Sequence, residues 1–169
     1  MIILVDGIDR VGKSTLCKML SDELGIPSNK DDTRYLGTHR DVVVNTEKIN
    51  TFVNLIENGC LKDVIFDRFH LTEYVYSAVE RGFINKHMFD VDKRLCNLND
   101  LVILIYVRPT DIVKSSVEHG KDLSEHDALF STFYNLSKIQ YKIKTSYNYF
   151  DDVIKEVKRI REEYYYYET

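Results

Sequence analysis

This chain is poor in the residues that break or cross-link a fold. Its 169 residues include two prolines, seven glycines, three cysteines and no tryptophan. Each proline or glycine therefore marks a turn or the end of an element. The cysteines, Cys17, Cys60 and Cys96, are odd in number and lack metal-ligand spacing, which indicates reduced thiols in a reducing compartment. Hydrophobic residues make up 44% and charged residues 30%, a balance that excludes disorder and repeat arrays.

Long apolar runs and a net positive charge are also absent. The apolar run at residues 2–5 is far too short for a membrane span or a signal core, and no basic segment precedes it. We therefore expect a cytoplasmic protein without a membrane partner. The formal net charge is −4, whereas general nucleic-acid binders present a basic face, so we expect no nucleic-acid partner. A few local cations could still hold small phosphorylated ligands.

The hydrophobic pattern alternates short apolar runs with helical stripes. It predicts strands at residues 2–5, 26–30, 64–66, 101–107 and 147–150. It predicts helices at residues 13–24, 42–58, 71–80, 86–96, 110–117, 124–144 and 151–165. Strands separated by helices form a parallel sheet through right-handed crossovers. We therefore expect one α/β domain over residues 1–169, with about five parallel strands, helices on both faces and ligands beyond the carboxyl ends of the strands.

A phosphate-binding motif follows the first predicted strand. Residues 7–14 read G-I-D-R-V-G-K-S and match G-x-x-x-x-G-K-[ST] at every required position. Gly7 and Gly12 let the backbone turn so that successive N–H groups face an anion at the start of a helix. Lys13 would neutralise the β- and γ-phosphates, and the Ser14 hydroxyl would reach Mg²⁺. The buried strand before the motif and the amphipathic helix after it favour a P-loop over a chance turn.

The motif Asn29-Lys30-Asp31-Asp32 matches the N-K-x-D sequence that GTPases use to read guanine. In those proteins it lies late in the fold, after a separate D-x-x-G switch. Here it directly follows the first helix, and the D-x-x-G at residues 22–25 lies at the end of that helix. This order excludes the GTPase interpretation.

Three segments resemble the thymidylate kinase family. Residues 6–15, D-G-I-D-R-V-G-K-S-T, resemble the family P-loop E-G-[LI]-D-R-[AS]-G-K-S-T. Residues 67–76, D-R-F-H-L-T-E-Y-V-Y, resemble D-R-Y-x-x-S-x-x-A-Y at the end of the third strand. Residues 33–37, T-R-Y-L-G, are a weaker match to T-R-E-P-G. The order of motifs covers about the whole chain, and close identity is confined to these segments.

The resemblance implies a P-loop NTPase fold with a short lid. It also implies ATP- and Mg²⁺-dependent phosphoryl transfer to a deoxynucleoside monophosphate, with dTMP as the first choice. The catalytic residues would be Lys13, Arg68, Arg10 and Asp67. Arg68 would contact the phosphates of both substrates, since their mutual repulsion opposes an in-line approach. Asp67 and Ser14 would place the Mg²⁺ ion.

The resemblance also assigns residues to the two substrates. The ATP site would comprise Gly7, Asp9, Arg10, Val11, Gly12, Lys13, Ser14 and Thr15. The acceptor site would comprise Asp9, Arg34, Arg68 and Tyr76. In that site Asp9 would bind the 3′-hydroxyl, and Arg34 would hold the 5′-phosphate through a bidentate guanidinium contact. Tyr76 would lie against the deoxyribose and disfavour a 2′-hydroxyl.

The chain departs from the family pattern in two places. The family usually reads the acceptor base with an aromatic residue and an arginine on the helix before D-R-Y. Residues 42–58 contain no arginine, so the side chains available there are Asn45, Lys48, Asn50, Phe52 and Asn54. The lid expected between residues 109 and 125 offers Lys114, Lys121, His119 and His126 where the family has arginines. Arg10 fits the family members whose P-loop supplies the catalytic arginine.

Two alternatives remain open at this point. A deoxynucleoside kinase would phosphorylate a 5′-hydroxyl and use a carboxylate base after the second strand, where Asp31 and Asp32 lie. A catalytically weak regulatory nucleotide-binding module would explain the lid without arginines, although Lys13 and Arg68 count against it. The apolar stripe of Ile49, Phe52, Val53 and Ile56 is a candidate face for a homodimer, with core packing as its other use.

Overall fold

The structure is a computed structural model that describes residues 1–30, 39–110 and 123–167. Its strands are β1 (Ile2–Asp6), β2 (Ser28–Lys30), β3 (Val64–Asp67), β4 (Val102–Val107) and β5 (Tyr141–Thr145). Its helices are α1 (Lys13–Leu24), α2 (His39–Glu57), α3 (His70–Arg81), α4 (His87–Cys96), α5 (Ser124–Leu136) and α6 (Phe150–Tyr167). A short 3₁₀ turn, Tyr147–Tyr149, precedes α6. The helix predicted at residues 110–117 and most of the expected lid lie outside the described residues.

The five strands form one parallel sheet in the order β2-β3-β1-β4-β5. Every residue of β1, β3 and β4 is buried, as expected for strands covered by helices on both faces. Helix α1 packs with α6, helices α2, α3 and α4 pack with one another, and α5 packs on α3. The predicted α/β class and parallel sheet are therefore confirmed, and the carboxyl ends of β1 and β3 lie side by side.

The fifth strand is not where the sequence pattern predicted it. Residues 147–150 form the 3₁₀ turn and the start of α6, and the edge strand is Tyr141–Thr145. Helix α5 ends at Leu136, so the prediction of a helix to about residue 144 is wrong. A buried carboxylate terminates the helix, because Asp92 accepts from Ser137 Oγ at 2.6 Å and from the Lys138 backbone N–H at 3.0 Å.

The apolar stripe of α2 belongs to the core of the chain. Ile49, Val53 and Ile56 are each at most 6% exposed, and Phe52 packs edge-on against Phe66 with ring centroids 5.1 Å apart. The stripe is therefore part of the core, which is the second of the two uses considered for it. Within the described ranges, no helix combines the length and apolar composition needed to cross a membrane.

Candidate active site

The loop between β1 and α1 has a backbone that only glycine allows at two positions. Gly7 has φ 149°, and a Cβ there would lie 2.3 Å from the Val107 carbonyl oxygen. Gly12 has φ 90°, and a Cβ there would lie 2.7 Å from the ring of Tyr147. The loop is thus pressed against the end of β4 and the turn before α6. Its glycines are required by space as well as by backbone conformation.

Lys13 is the first residue of α1, and its side chain lies back over the loop. The Nζ atom donates to the Ile8 carbonyl oxygen at 2.5 Å, and the residue is only 5% exposed. Burial, together with the positive charge of Arg68, lowers the pKa of Lys13 to about 8. A buried ammonium group attracts a phosphate strongly, because little water is present to screen the two charges.

Ser14 and Asp67 join the loop to the end of β3. The Ser14 hydroxyl donates to Asp67 Oδ2 at 2.5 Å. Asp67 is 2% exposed, and its Oδ1 atom has no hydrogen-bond partner among the described residues. A buried carboxylate oxygen with free coordination capacity beside a hydroxyl suits a hard cation such as Mg²⁺. The described residues contain no larger cluster of metal-ligating side chains, so the remaining ligands would come from phosphates and water.

Arg68 follows β3 in a left-handed backbone conformation, with φ 80°. Such a conformation is unfavourable for a side-chain-bearing residue and is typical of functional sites. Its guanidinium forms an ion pair with Asp9 of the loop. Partial burial raises the pKa of Asp9, but the charges of Arg68 and Lys13 outweigh it and hold the pKa below its usual value. Asp9 is therefore ionised and joins the P-loop to the residue after β3.

Tyr76 lies in the second turn of α3, near these charges, and is buried. Burial raises the pKa of its hydroxyl, and the nearby carboxylate of Asp9 raises it further. The hydroxyl is thus protonated at neutral pH and close to both Asp9 and Arg68. Its ring packs against those of His126 and Phe130, with centroids 5.1 and 6.5 Å away.

Sequence reasoning missed the structural importance of Asp6. Its Oδ1 atom accepts from the backbone N–H groups of Phe69 and Thr72 at 3.0 and 3.1 Å, and from the Thr72 hydroxyl at 2.5 Å. These N–H groups belong to the start of α3, so a carboxylate from β1 caps that helix. The cap fixes the chain directly after Arg68. The acidic residue before Gly7 and the threonine five residues after Asp67 were the available signals.

Two pockets flank this centre at the carboxyl edge of the sheet. The first lies between α2 and the end of β3, and we call it the aromatic pocket; it is lined by Asn29, Lys48, Ile49, Phe52, Phe66, Arg68 and Phe69. The second lies beyond the ends of β4 and β5, and we call it the distal pocket; it is lined by Arg108, Pro109, Thr110, Lys144, Thr145, Ser146, Asn148 and Tyr149. The P-loop lies between the two pockets, and Arg68 lines the aromatic pocket on one side of it.

The structure brings most of the predicted site residues together. Lys13, Ser14, Asp67, Arg68 and Asp9 converge at the ends of β1 and β3, as described above. Of the other predicted P-loop residues, Val11 is buried while Thr15 is exposed. Arg10 is exposed and has a left-handed φ of 64°. The remaining predictions lie outside the described residues: Asp31, Asp32, Arg34, Lys114, His119 and Lys121.

The parallel sheet and the glycine-bearing loop before α1 define the fold of the P-loop kinases. Three solved structures share this fold with the chain. YorR from Bacillus subtilis, in complex with phosphorylated GDP, has a TM-score of 0.72 and 18% identity, with 96% of each chain covered. Thymidylate kinase from Candida albicans has a TM-score of 0.59 and 15% identity, covering 96% of this chain and 91% of that one. Deoxyadenosine kinase from M. mycoides has a TM-score of 0.58 and 14% identity, covering 95% and 100%.

No protein-family model and no curated protein matches the sequence. The similarity to solved structures therefore establishes the fold, and the predicted resemblance to thymidylate kinases is confirmed at that level. Nucleoside and nucleotide kinases both occur among these neighbours.

Proposed function

We propose that this protein transfers the γ-phosphoryl group of ATP to a deoxynucleoside monophosphate, with dTMP as the first choice, in nucleotide biosynthesis. One observation carries the proposal. Arg68, in a strained backbone conformation, pairs with Asp9 of the P-loop and also lines the aromatic pocket. A cation at the boundary between a phosphate loop and a second pocket can hold two phosphates in line, and such alignment provides most of the catalysis in phosphoryl transfer.

The donor phosphates would bind the backbone N–H groups of residues 7–15, with Lys13 exchanging its contact with the Ile8 carbonyl for the β- and γ-phosphates. Arg10 would neutralise charge that develops on the transferred group. Ser14 and Asp67 would hold Mg²⁺, which supplies charge neutralisation on the phosphates when bound. The distal pocket would take the base of ATP, since it lies beyond β4 and β5 next to the turn that contacts Gly12.

The acceptor base would occupy the aromatic pocket. Phe52, Phe66 and Phe69 supply apolar and aromatic surface there, and base–aromatic contacts contribute substantial binding energy. Lys48 can only donate hydrogen bonds, which favours a base that presents a carbonyl oxygen, as thymine does. Asp9 would bind the 3′-hydroxyl, Tyr76 would lie against the deoxyribose, and Arg34 would hold the 5′-phosphate.

A monophosphate oxygen is already a competent nucleophile, so the proposed reaction needs no general base. A deoxynucleoside kinase is the second candidate, because Asp31 and Asp32 directly follow the last residue of β2 in the sequence, and a carboxylate after this strand would serve as the base for a 5′-hydroxyl. The order of residues thus allows either acceptor, and the choice between them is experimental.

A panel of acceptors tests the proposal. The purified protein is incubated with ATP and Mg²⁺ and with each of the four common deoxynucleoside monophosphates and the four corresponding nucleosides, and ADP release is measured. We expect release with monophosphates, fastest with dTMP, and none with the Lys13→Ala variant. Release with nucleosides alone would favour the second candidate. No release above the acceptor-free background would contradict both.

A further inference from the structure

His126 connects the start of α5 to α3 beside the proposed acceptor site. It is 3% exposed, and its Nε2 atom lies 3.0 Å from Oε1 of Glu80. A carboxylate only accepts hydrogen bonds, so Nε2 carries the proton and donates to Glu80. This bond fixes the position of a buried imidazole ring that the proposed phosphoryl transfer does not use.

The same imidazole ring packs against Tyr76, with ring centroids 5.1 Å apart and planes inclined by 59°. Tyr76 and Glu80 are four residues apart on α3, so they lie on one face of that helix. His126 thus spans one helical turn, with its nitrogen held by Glu80 and its ring against Tyr76. Phe130, one turn further along α5, adds a second ring contact at 6.5 Å. Helix α5 therefore packs against the side chain proposed to contact the acceptor sugar.

We infer that His126 is a positioning residue that holds the Tyr76 ring in place and thereby sets the preference for deoxyribose over ribose. The inference rests on the proposed function of the acceptor site. A side chain excludes a hydroxyl group from a site only if the side chain cannot move away. Neighbouring residues that pack closely against its other side prevent that movement. Without the Nε2 bond to Glu80 and the ring contact with Tyr76, the Tyr76 ring can shift, and space for a 2′-hydroxyl then opens.

Four variants test the inference. His126→Leu removes both the donor and the aromatic ring. Glu80→Leu removes the anchor and keeps the imidazole ring, whereas Glu80→Gln keeps an oxygen that accepts the hydrogen bond from Nε2. His87→Leu is the matched control, because His87 also bridges two helices, through a 3.1 Å contact between its Nε2 and Asn50 Oδ1, but makes no contact with Tyr76.

The kinetic constants kcat and KM are measured for dTMP and ribothymidine 5′-monophosphate, and for the deoxy and ribo forms of GMP, CMP and AMP. The pair with the fastest wild-type turnover is then compared across the variants. We expect the deoxy-to-ribo ratio of kcat/KM to fall by about tenfold in His126→Leu, mainly through a lower KM for the ribonucleotide. Glu80→Leu should lower the ratio in the same direction. Glu80→Gln and His87→Leu should keep the wild-type ratio.

A wild-type ratio in folded His126→Leu would overturn the inference. If that variant does not fold, a wild-type ratio in Glu80→Leu overturns it instead, since Glu80 is the more exposed partner of the pair. An equal loss of turnover with both sugars would also overturn it, because a merely structural residue affects both. If the wild-type protein phosphorylates no monophosphate, the proposed function itself fails, which is a separate and visible result.

Discussion

Lys13 shows how burial and function are related at a single residue. The structure buries its ammonium group, and that burial lowers its pKa, which means that the folded state disfavours the charged form. Replacing it should therefore cost little stability, although it removes the cation that we propose neutralises the donor phosphates.

We predict that Lys13→Ala abolishes phosphoryl transfer and leaves the thermal unfolding temperature equal to that of the wild type or higher. Steady-state ADP release and a thermal melt measure the two quantities. Lys18→Ala is the control, since Lys18 is exposed on the same helix, and it should keep full activity. Unchanged turnover in Lys13→Ala would show that the loop is not the donor site.

Arg34 and Asp32 distinguish the two candidate acceptors. If the acceptor is a monophosphate, Arg34→Ala loses a charge-assisted contact with its phosphate, and the acceptor KM should rise by about 10- to 100-fold. The KM for ATP should hardly change. Asp32→Asn should be mild, because no hydroxyl needs to be deprotonated. A nucleoside kinase would show the reverse, with kcat falling by about 10²- to 10⁴-fold in Asp32→Asn and little change in Arg34→Ala.

At the scale of elements, Asp92 joins three of them. From α4 it accepts hydrogen bonds from Ser137 and Lys138 after α5, and its Oδ1 lies 3.0 Å from Nε2 of His70 at the start of α3. Burial raises the pKa of Asp92, but the hydrogen bond and charge of His70, with the Ser137 and Lys138 bonds, hold it below the usual 3.8. The ionised carboxylate therefore stabilises the folded state.

Because the folded-state pKa is lowered, this stabilisation is present above pH 4 or so and is lost as the pH falls through the folded value. We predict that Asp92→Asn lowers the free energy of unfolding by about 1–3 kcal/mol at neutral pH. The difference from the wild type should shrink in acid, as the pH falls through the lowered folded-state pKa. Urea denaturation over a series of pH values from neutral to acid measures it. Asp90→Asn is the control, because Asp90 is exposed on the same helix; an equal effect of both variants would contradict the assignment.

Local sequence signals predicted most elements, and long-range contacts decided the ones they missed. The apolar runs of β1 and β4 and the glycines of the P-loop act through neighbouring residues, so a window of sequence contains the information. The end of α5 depends on Asp92, which lies 45 residues before Ser137. A prediction that does not take this carboxylate into account continues the helix through residues 141–145, which in the structure form the edge strand.

The same distinction holds at the site. The motifs identified Lys13, Asp67 and Arg68, because their spacing is local. The cap that Asp6 provides to α3 joins residues 66 positions apart, and it depends on the pairing of strands in the sheet. The contact of His126 with Tyr76 joins residues 50 positions apart, and it depends on the packing of two helices. Such contacts are visible only in the folded chain.

At the scale of the whole molecule, strand order creates the site. Since β1 pairs with β3, Val5 lies opposite Asp67 in the register, and the P-loop meets Asp67 and Arg68 although about 60 residues separate them in the chain. Parallel sheets place their ligands at such carboxyl edges. The aromatic and distal pockets lie on either side, next to where we propose that the acceptor and the donor bind.

We predict a homodimer in solution. The stripe of α2 is buried in the core, so a partner copy would cover the exposed apolar residues of that helix, which are Val43, Val44 and Leu55. Light scattering at high protein concentration should give the mass of two chains, and Val44→Lys should shift it toward one. The mass of a single chain for the wild type would contradict this prediction.

The most direct test of the central claim is to identify the product by ³¹P NMR. The purified protein is mixed with ATP, Mg²⁺ and dTMP, and spectra are recorded as the reaction proceeds. The account predicts that dTDP resonances grow in step with those of ADP, because the bond formed joins the γ-phosphoryl group to a phosphate oxygen. Growth of inorganic phosphate without any nucleoside diphosphate besides ADP, for dTMP and for every other deoxynucleoside monophosphate, would contradict it.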